Sequence, residues 1–100
     1  MTDAIVPIGH KSIVQRYAVA TGILEISEDS ADAIRNGQVA KGDVLEASTV
    51  AAIQAVKDTP RMIPHCHVIP IESCNVSWDW EGNSLRCTVS VSAHWKTGVE

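Results

Sequence analysis

Phenylalanine is absent from this chain, and its aromatic volume rests on three tryptophans and one tyrosine. Basic residues are also few. Eight Lys and Arg stand against twelve Asp and Glu, for a net charge of −4. That balance excludes a general nucleic-acid binder, which needs a basic face. It leaves room for a small anionic ligand, which a local cluster of Lys, Arg and backbone N–H groups can hold. No apolar run approaches the roughly 20 residues of a membrane span. Met1-Thr2-Asp3 opens with an acid, and no apolar stretch of a secretory leader follows it. Cysteines number three, so they cannot all pair within the chain. Reduced thiols in a cytoplasmic protein are the reading these absences favour. No internal repeat, low-complexity tract or linker interrupts the sequence.

What is present is ordinary globular composition, 45% hydrophobic and 20% charged over 100 residues. That is one domain, residues 1–100, and a chain of this length buries only about two thirds of its unfolded surface. Residues 1–12 hold Pro7 and Gly9 and read as an irregular N-terminal arm. From 13 to 26 the chain is rich in β-branched residues. Tyr17, Val19, Thr21 and Ile23 share one parity, and Arg16, Ala18, Ala20 and Gly22 the other, as in a strand. Ser27, followed by Glu28 and Asp29, is an N-cap with acids in the first turn. Asn36-Gly37 stops the short helix that results. Asp43 and Glu46 resemble a capping box opening a second helix. Val44, Ala47, Ala51 and Ala55 fall at helical spacing, and Pro60 should end that helix soon after Lys57 and Asp58.

Beyond Pro70 the period changes to two. Cys74, Val76, Trp78 and Trp80 alternate with polar residues, and so do Leu85, Cys87, Val89, Val91, Ala93 and Trp95. Glu81-Gly82-Asn83-Ser84 turns between them, which predicts an antiparallel hairpin with one buried and one wet face. The order strand, helix, helix, strand, strand predicts an α+β fold with helices on one face of the sheet. Two short helices are little cover for a Trp-rich face, so a further segment or a partner subunit is expected over it.

The chemistry-bearing stretch is Met62-Ile63-Pro64-His65-Cys66-His67-Val68-Ile69-Pro70-Ile71. Proline fixes its own φ and pushes its predecessor out of the α region. The segment between the prolines should be extended, with His65 and His67 on one face and Cys66 on the other. Lys57 has two readings: a solvated cation complementing the helix dipole, or a cation delivered to a pocket mouth. The His65–Cys66–His67 cluster has several. It could be structural. It could ligate zinc with a further partner such as His94, although it lacks paired C-x-x-C spacing. Cys66 could serve as a nucleophile beside a histidine. The favoured reading is a histidine that binds substrate or moves protons.

Taken together, three segments resemble one family. They are Ala51-Ala52-Ile53-Gln54-Ala55-Val56-Lys57, then Ile63-Pro64-His65-Cys66-His67 with Pro70-Ile71, then Lys96-Thr97-Gly98-Val99-Glu100. The similarity is to cyclic pyranopterin monophosphate synthase, protein C of molybdenum cofactor biosynthesis. Lys11, Arg16, Ala18, Ala20 and Gly22 fall in that family's opening strand, and Lys41-Gly42-Asp43-Val44 matches its helix start. The resemblance implies a ferredoxin-like α+β fold and a homo-oligomer, a hexamer built as a trimer of dimers with sites at subunit interfaces. It implies a cytoplasmic lyase that converts 3′,8-cyclo-7,8-dihydro-GTP into cyclic pyranopterin monophosphate and releases pyrophosphate. It implies no cofactor, no metal, no nucleic acid and no membrane. Lys57, His67 and Glu100 match the family's functional lysine, histidine and first glutamate, with His65 and Cys66 beside the substrate.

The departures are also specific. The family's chain continues past this glutamate with a second glutamate, a helix carrying an aspartate and a lysine, and a final strand, so the C-terminal third is expected to be missing. His65 and Val68 stand where the family more often has an apolar residue and a proline, and Pro7 replaces its usual aspartate. A non-catalytic member acting as an assembly or binding module is the alternative reading.

Overall fold

The computed structural model describes residues 5–97 and Val99. Its elements follow the predicted order: β1 (Val14–Glu25), α1 (Glu28–Arg35), α2 (Val44–Met62), β2 (Ile71–Glu81) and β3 (Ser84–Trp95). The sheet order is β1-β3-β2, and both pairings are antiparallel. This α+β arrangement corresponds to the β-α-β-β portion of a ferredoxin-like unit. Residues 5–13 carry neither helix nor strand, and a turn closes there with Lys11 N–H donating to the Ile8 carbonyl at 3.0 Å.

Local chemistry explains the boundaries. The Ser27 hydroxyl accepts from the Ser30 N–H at 3.3 Å, and Gly37 takes φ 66° just past the Asn36 cap of α1. The Asp43 carboxylate accepts from the Glu46 N–H at 3.0 Å, opening α2. In the hairpin Gly82 adopts φ 62°, the left-handed value that a two-residue loop needs at its first position. One boundary differs from expectation. Helix α2 runs through Pro60 to Met62 instead of ending before it. Pro60 lacks an N–H, so the Val56 carbonyl loses its i+4 backbone donor. The Ile63 N–H still donates to the Thr59 carbonyl at 2.9 Å and completes the last turn. A proline this close to a helix end removes one bond without removing the turn.

Register assigns the two faces of the sheet. Trp78 lies opposite Cys87, Val76 opposite Val89 and Cys74 opposite Val91, while on the other side Gly22, Ala20 and Ala18 meet the same three β3 residues. The helices sit on this inner face. Trp78 Nε1 donates to Thr49 Oγ1 at 2.8 Å and ties β2 to α2. The Arg35 guanidinium lies 4.1 Å from the Trp80 ring centroid and donates to the Gly82 carbonyl, fixing α1 to the hairpin end. Toward the far end of the sheet, Arg16 Nη2 donates to the Lys96 carbonyl at 3.3 Å.

The core is small. Its buried apolar residues are Ala31, Cys66, Leu85, Val91 and Ala93. α2 lies against β2, and over β1 a gap of about 300 Å³ remains between sheet and helices, lined by Gly22, Leu24, Ile34, Val44, Trp78 and Leu85 among others. The radius of gyration is 16.9 Å, whereas a compact chain of this length has about 13 Å. The helices leave the inner face only partly filled over β1. No helix among the described residues is long and apolar enough to cross a membrane.

The Thr49–Trp78 bond is the polar tie between α2 and the sheet. Thr49→Val keeps the shape but leaves a half-buried indole N–H without its acceptor. Urea unfolding should show a loss of about 1–2 kcal/mol. Trp78→Phe in the Thr49→Val background should cost less than the sum of the two single changes, because the shared bond is then lost only once.

Candidate functional site

The end of α2 and the connector that follows it enclose a cleft of about 260 Å³. Val56, Lys57, Thr59 and Pro60 supply one wall, and Cys66, His67, Val68 and Ile69 another. Ile71 at the start of β2 and Val99 complete the lining. Pro60 contributes here through the extra helical turn, which carries the α2 wall past the point where the sequence predicted an end.

The connector is not extended throughout. Ile63, Pro64, His65 and Cys66 form a turn in which the Cys66 N–H donates to the Ile63 carbonyl at 3.0 Å. Proline favours the second position of such a turn because its φ is already set. The turn overrides the alternation expected of a strand. Cys66 and His67, expected on opposite faces, both line the cleft, and His65 is not among the lining residues. Cys66 is buried, and its thiol lies 3.3 Å from the His67 carbonyl.

His67 Nε2 lies 2.7 Å from the Val6 carbonyl oxygen. A carbonyl only accepts, so Nε2 carries the proton and Nδ1 is the nitrogen left to accept or release one. The bond also pins the N-terminal arm to the connector. Nothing in the side-chain pattern signals it, because its acceptor is a backbone carbonyl 61 positions away. The apolar walls were only partly legible: Val56 has helical spacing beside Lys57, but Thr59, Pro60, Ile69 and Val99 carry no motif.

The charge in the cleft is one-sided. Lys57 is an exposed cation at its edge, and no carboxylate is among the described lining residues. A cation beside an imidazole, over a largely apolar floor, suits a ligand with both anionic and ring portions. Glu100 lies outside the described residues, while its neighbour Val99 is in the lining. The zinc reading finds no support in this geometry. Among the described residues, no three His, Cys, Asp or Glu side chains converge to hold a metal ion, and a structural zinc would need four ligands.

Fold and cleft together define the class: an α+β domain with helices on one sheet face, offering a lysine and an imidazole at the end of its longer helix. Comparison with known proteins assigns the family. The chain matches the MoaC family over residues 5–100, and it belongs to that family. It is 45% identical over 96 residues to a protein of Methanospirillum hungatei, covering 96% of this chain and 62% of that relative. It is 45% identical over 101 residues to one of Sulfurisphaera tokodaii, covering 100% and 67%. With a protein of Archaeoglobus fulgidus the identity is 43% over 96 residues, covering 96% and 62%. Each of these relatives is named a probable cyclic pyranopterin monophosphate synthase. The chain spans about three fifths to two thirds of their length.

Chelation tests the metal reading directly. Dialysis against EDTA should leave the melting temperature and the far-UV circular dichroism unchanged. A structural zinc contributes on the order of 10 kcal/mol to folding, so its removal would unfold the chain outright.

Proposed function

We propose that the chain is the larger part of a cyclic pyranopterin monophosphate synthase. This lyase of molybdenum cofactor biosynthesis converts 3′,8-cyclo-7,8-dihydro-GTP into cyclic pyranopterin monophosphate and pyrophosphate. The observation that carries the reading is membership of the MoaC family over residues 5–100, with relatives at 43–45% identity that bear the synthase name. The cleft supports it, since Lys57, Cys66 and His67 come from two separate segments and line one space.

Each group has work suited to its chemistry. Lys57 presents a mobile ammonium to the triphosphate, where charge must be neutralised as pyrophosphate leaves. His67, oriented through its Nε2 bond to the Val6 carbonyl, offers Nδ1 for proton transfer to or from the ring system. Cys66 shapes the wall beside it. Glu100, which follows the lining residue Val99 in the sequence, is a further acid–base candidate. His65 lies outside the lining, so its contribution is to the turn more than to the substrate. The protein works in the cytoplasm as a homo-oligomer, a hexamer in the reading argued from the family. It needs no metal or cofactor and binds neither nucleic acid nor membrane.

Substitutions made in the full-length protein test the assignment. Lys57→Ala and His67→Ala should each lower turnover by on the order of 10²-fold or more, the range for general acid–base groups. His65→Leu should leave turnover largely intact. Wild-type turnover in Lys57→Ala, with folding and assembly unchanged, would remove the lysine from the site.

A further inference from the structure

The α2 wall of the cleft is rich in hydrogen-bond acceptors and poor in donors. Val56, Thr59 and Pro60 all line the cleft, and Val56 and Thr59 lie three residues apart, on one face of the helix. Pro60 has no N–H, so the Val56 carbonyl has no backbone donor four residues on. A proline ring also crowds the carbonyl four residues before it, and a crowded carbonyl tilts outward from the helix axis. Thr59 adds to the same bias. Its hydroxyl donates to the Ala55 carbonyl at 2.8 Å. A hydroxyl has a single proton, so Thr59 Oγ1 is left only to accept from a ligand in the cleft. The Thr59 N–H is engaged in the helix ladder. The partial negative charge of a helix C-terminus acts in the same sense.

The remainder of the cleft is different in character. Lys57 is a cation at its edge, and Val68, Ile69 and Ile71 give apolar area. A ligand that matches all three parts has an anionic group, a flat ring and N–H donors along one edge of that ring. A ring that presents an acceptor to the α2 wall leaves two acceptors facing each other, desolvated and unpaired. The 2-amino-4-oxopyrimidine ring of a GTP-derived molecule has the donor edge: a ring N–H beside an exocyclic amino group. Adenine offers an unprotonated ring nitrogen at the corresponding place. Hypoxanthine keeps the ring N–H and lacks the amine.

We propose that the C-terminal end of α2 selects the base, with the Val56 carbonyl and Thr59 Oγ1 accepting from the ring N–H and amino group of a guanine-type ring. The ring lies against the apolar walls, and its phosphates extend toward Lys57. Pro60 is a positioning residue in this arrangement, because it frees the Val56 carbonyl without ending the helix. That gives a chemical role to the one feature of α2 that helix propensity disfavours: the backbone group released by the proline belongs to a residue that lines the cleft. The inference rests on the lyase reading for the class of ligand and adds the groups that choose its base. A site that pairs a ring amine rejects the analogue lacking it, since the acceptor is left unmatched. Thr59 and Pro60 are half-buried, so water partly compensates, and one neutral hydrogen bond amounts to about 10-fold in affinity.

Titration calorimetry of the full-length protein with GTP and with ITP, which differ only in the 2-amino group, is the test. The wild type should bind GTP about 10-fold more tightly than ITP. Thr59→Val keeps the shape and removes the acceptor, so it should weaken GTP alone and bring the two affinities together. Thr59→Ser retains the hydroxyl and should retain the preference. Pro60→Ala supplies an N–H to the Val56 carbonyl and should narrow the preference as well. Circular dichroism confirms that all three variants are folded. Equal affinities in the wild type would overturn the proposal, as would failure to bind either nucleotide. A Thr59→Val protein that keeps the full preference would overturn it too, and so would one that weakens both nucleotides equally, because the hydroxyl would then act only on the fold. Turnover separates this reading from the lyase reading. A GTP preference that depends on Thr59, in a protein without lyase turnover, would refute the lyase and leave this inference standing. Lyase turnover with a preference indifferent to Thr59 would do the reverse.

Discussion

The antiparallel pairing of β3 on both of its edges is the constraint from which the rest of the molecule follows. β3 meets β1 from Val14↔Trp95 to Glu25↔Ser84, and it meets β2 from Ile71↔Ala93 to Glu81↔Ser84. Its inner residues Leu85, Val91 and Ala93 are the buried part of the sheet. Because side chains alternate across a strand, this one register decides the face of every residue on β1 and β2. It puts Trp78 where α2 can reach its indole through Thr49, and Trp80 where Arg35 can lie over its ring. A slip of one residue would turn the tryptophans outward and leave α1 and α2 without a surface.

The cleft depends on a second, more local constraint. Two prolines act within a few residues, and they act differently because of where they fall. Pro60 sits so near the end of α2 that the helix survives it, and the surviving turn carries a wall of the cleft. Pro64 occupies a turn that reverses the chain directly after the helix and delivers Cys66 and His67 to the same space as Lys57. The His67–Val6 bond then holds the arm against this connector. A cation and an imidazole are thus brought together by backbone geometry at a helix end, and the only charge the described lining shows is positive.

A chain of this length must settle for a modest core, and here the core is smaller than its length requires. The unfilled space above β1 and the exposed side chains of Tyr17 and Val19 lie on opposite faces of the same strand. They therefore ask for two different kinds of cover. The relatives it matches run longer than this chain.

The sequence by itself determined the elements. The alternation in 71–95, the caps at Ser27 and Asp43, and the stop at Asn36-Gly37 are local signals, and each acts through hydrogen bonds or φ preferences within a few residues. It also determined that Lys57 and His67 belong to one constellation, because their types and spacing resemble a family's motif. Tertiary structure alone decided which parity of β1 faces the helices. Tyr17 and Ala18 are equally acceptable in a strand, and only the register against β3 chooses between them. It alone decided that Cys66 and His67 share a cleft while His65 lies outside its lining, because a turn closed by the Cys66–Ile63 bond displaced the extended geometry that flanking prolines suggest. It alone brought the Val6 carbonyl to His67, a contact between backbone and side chain so distant in sequence that no local rule encodes it.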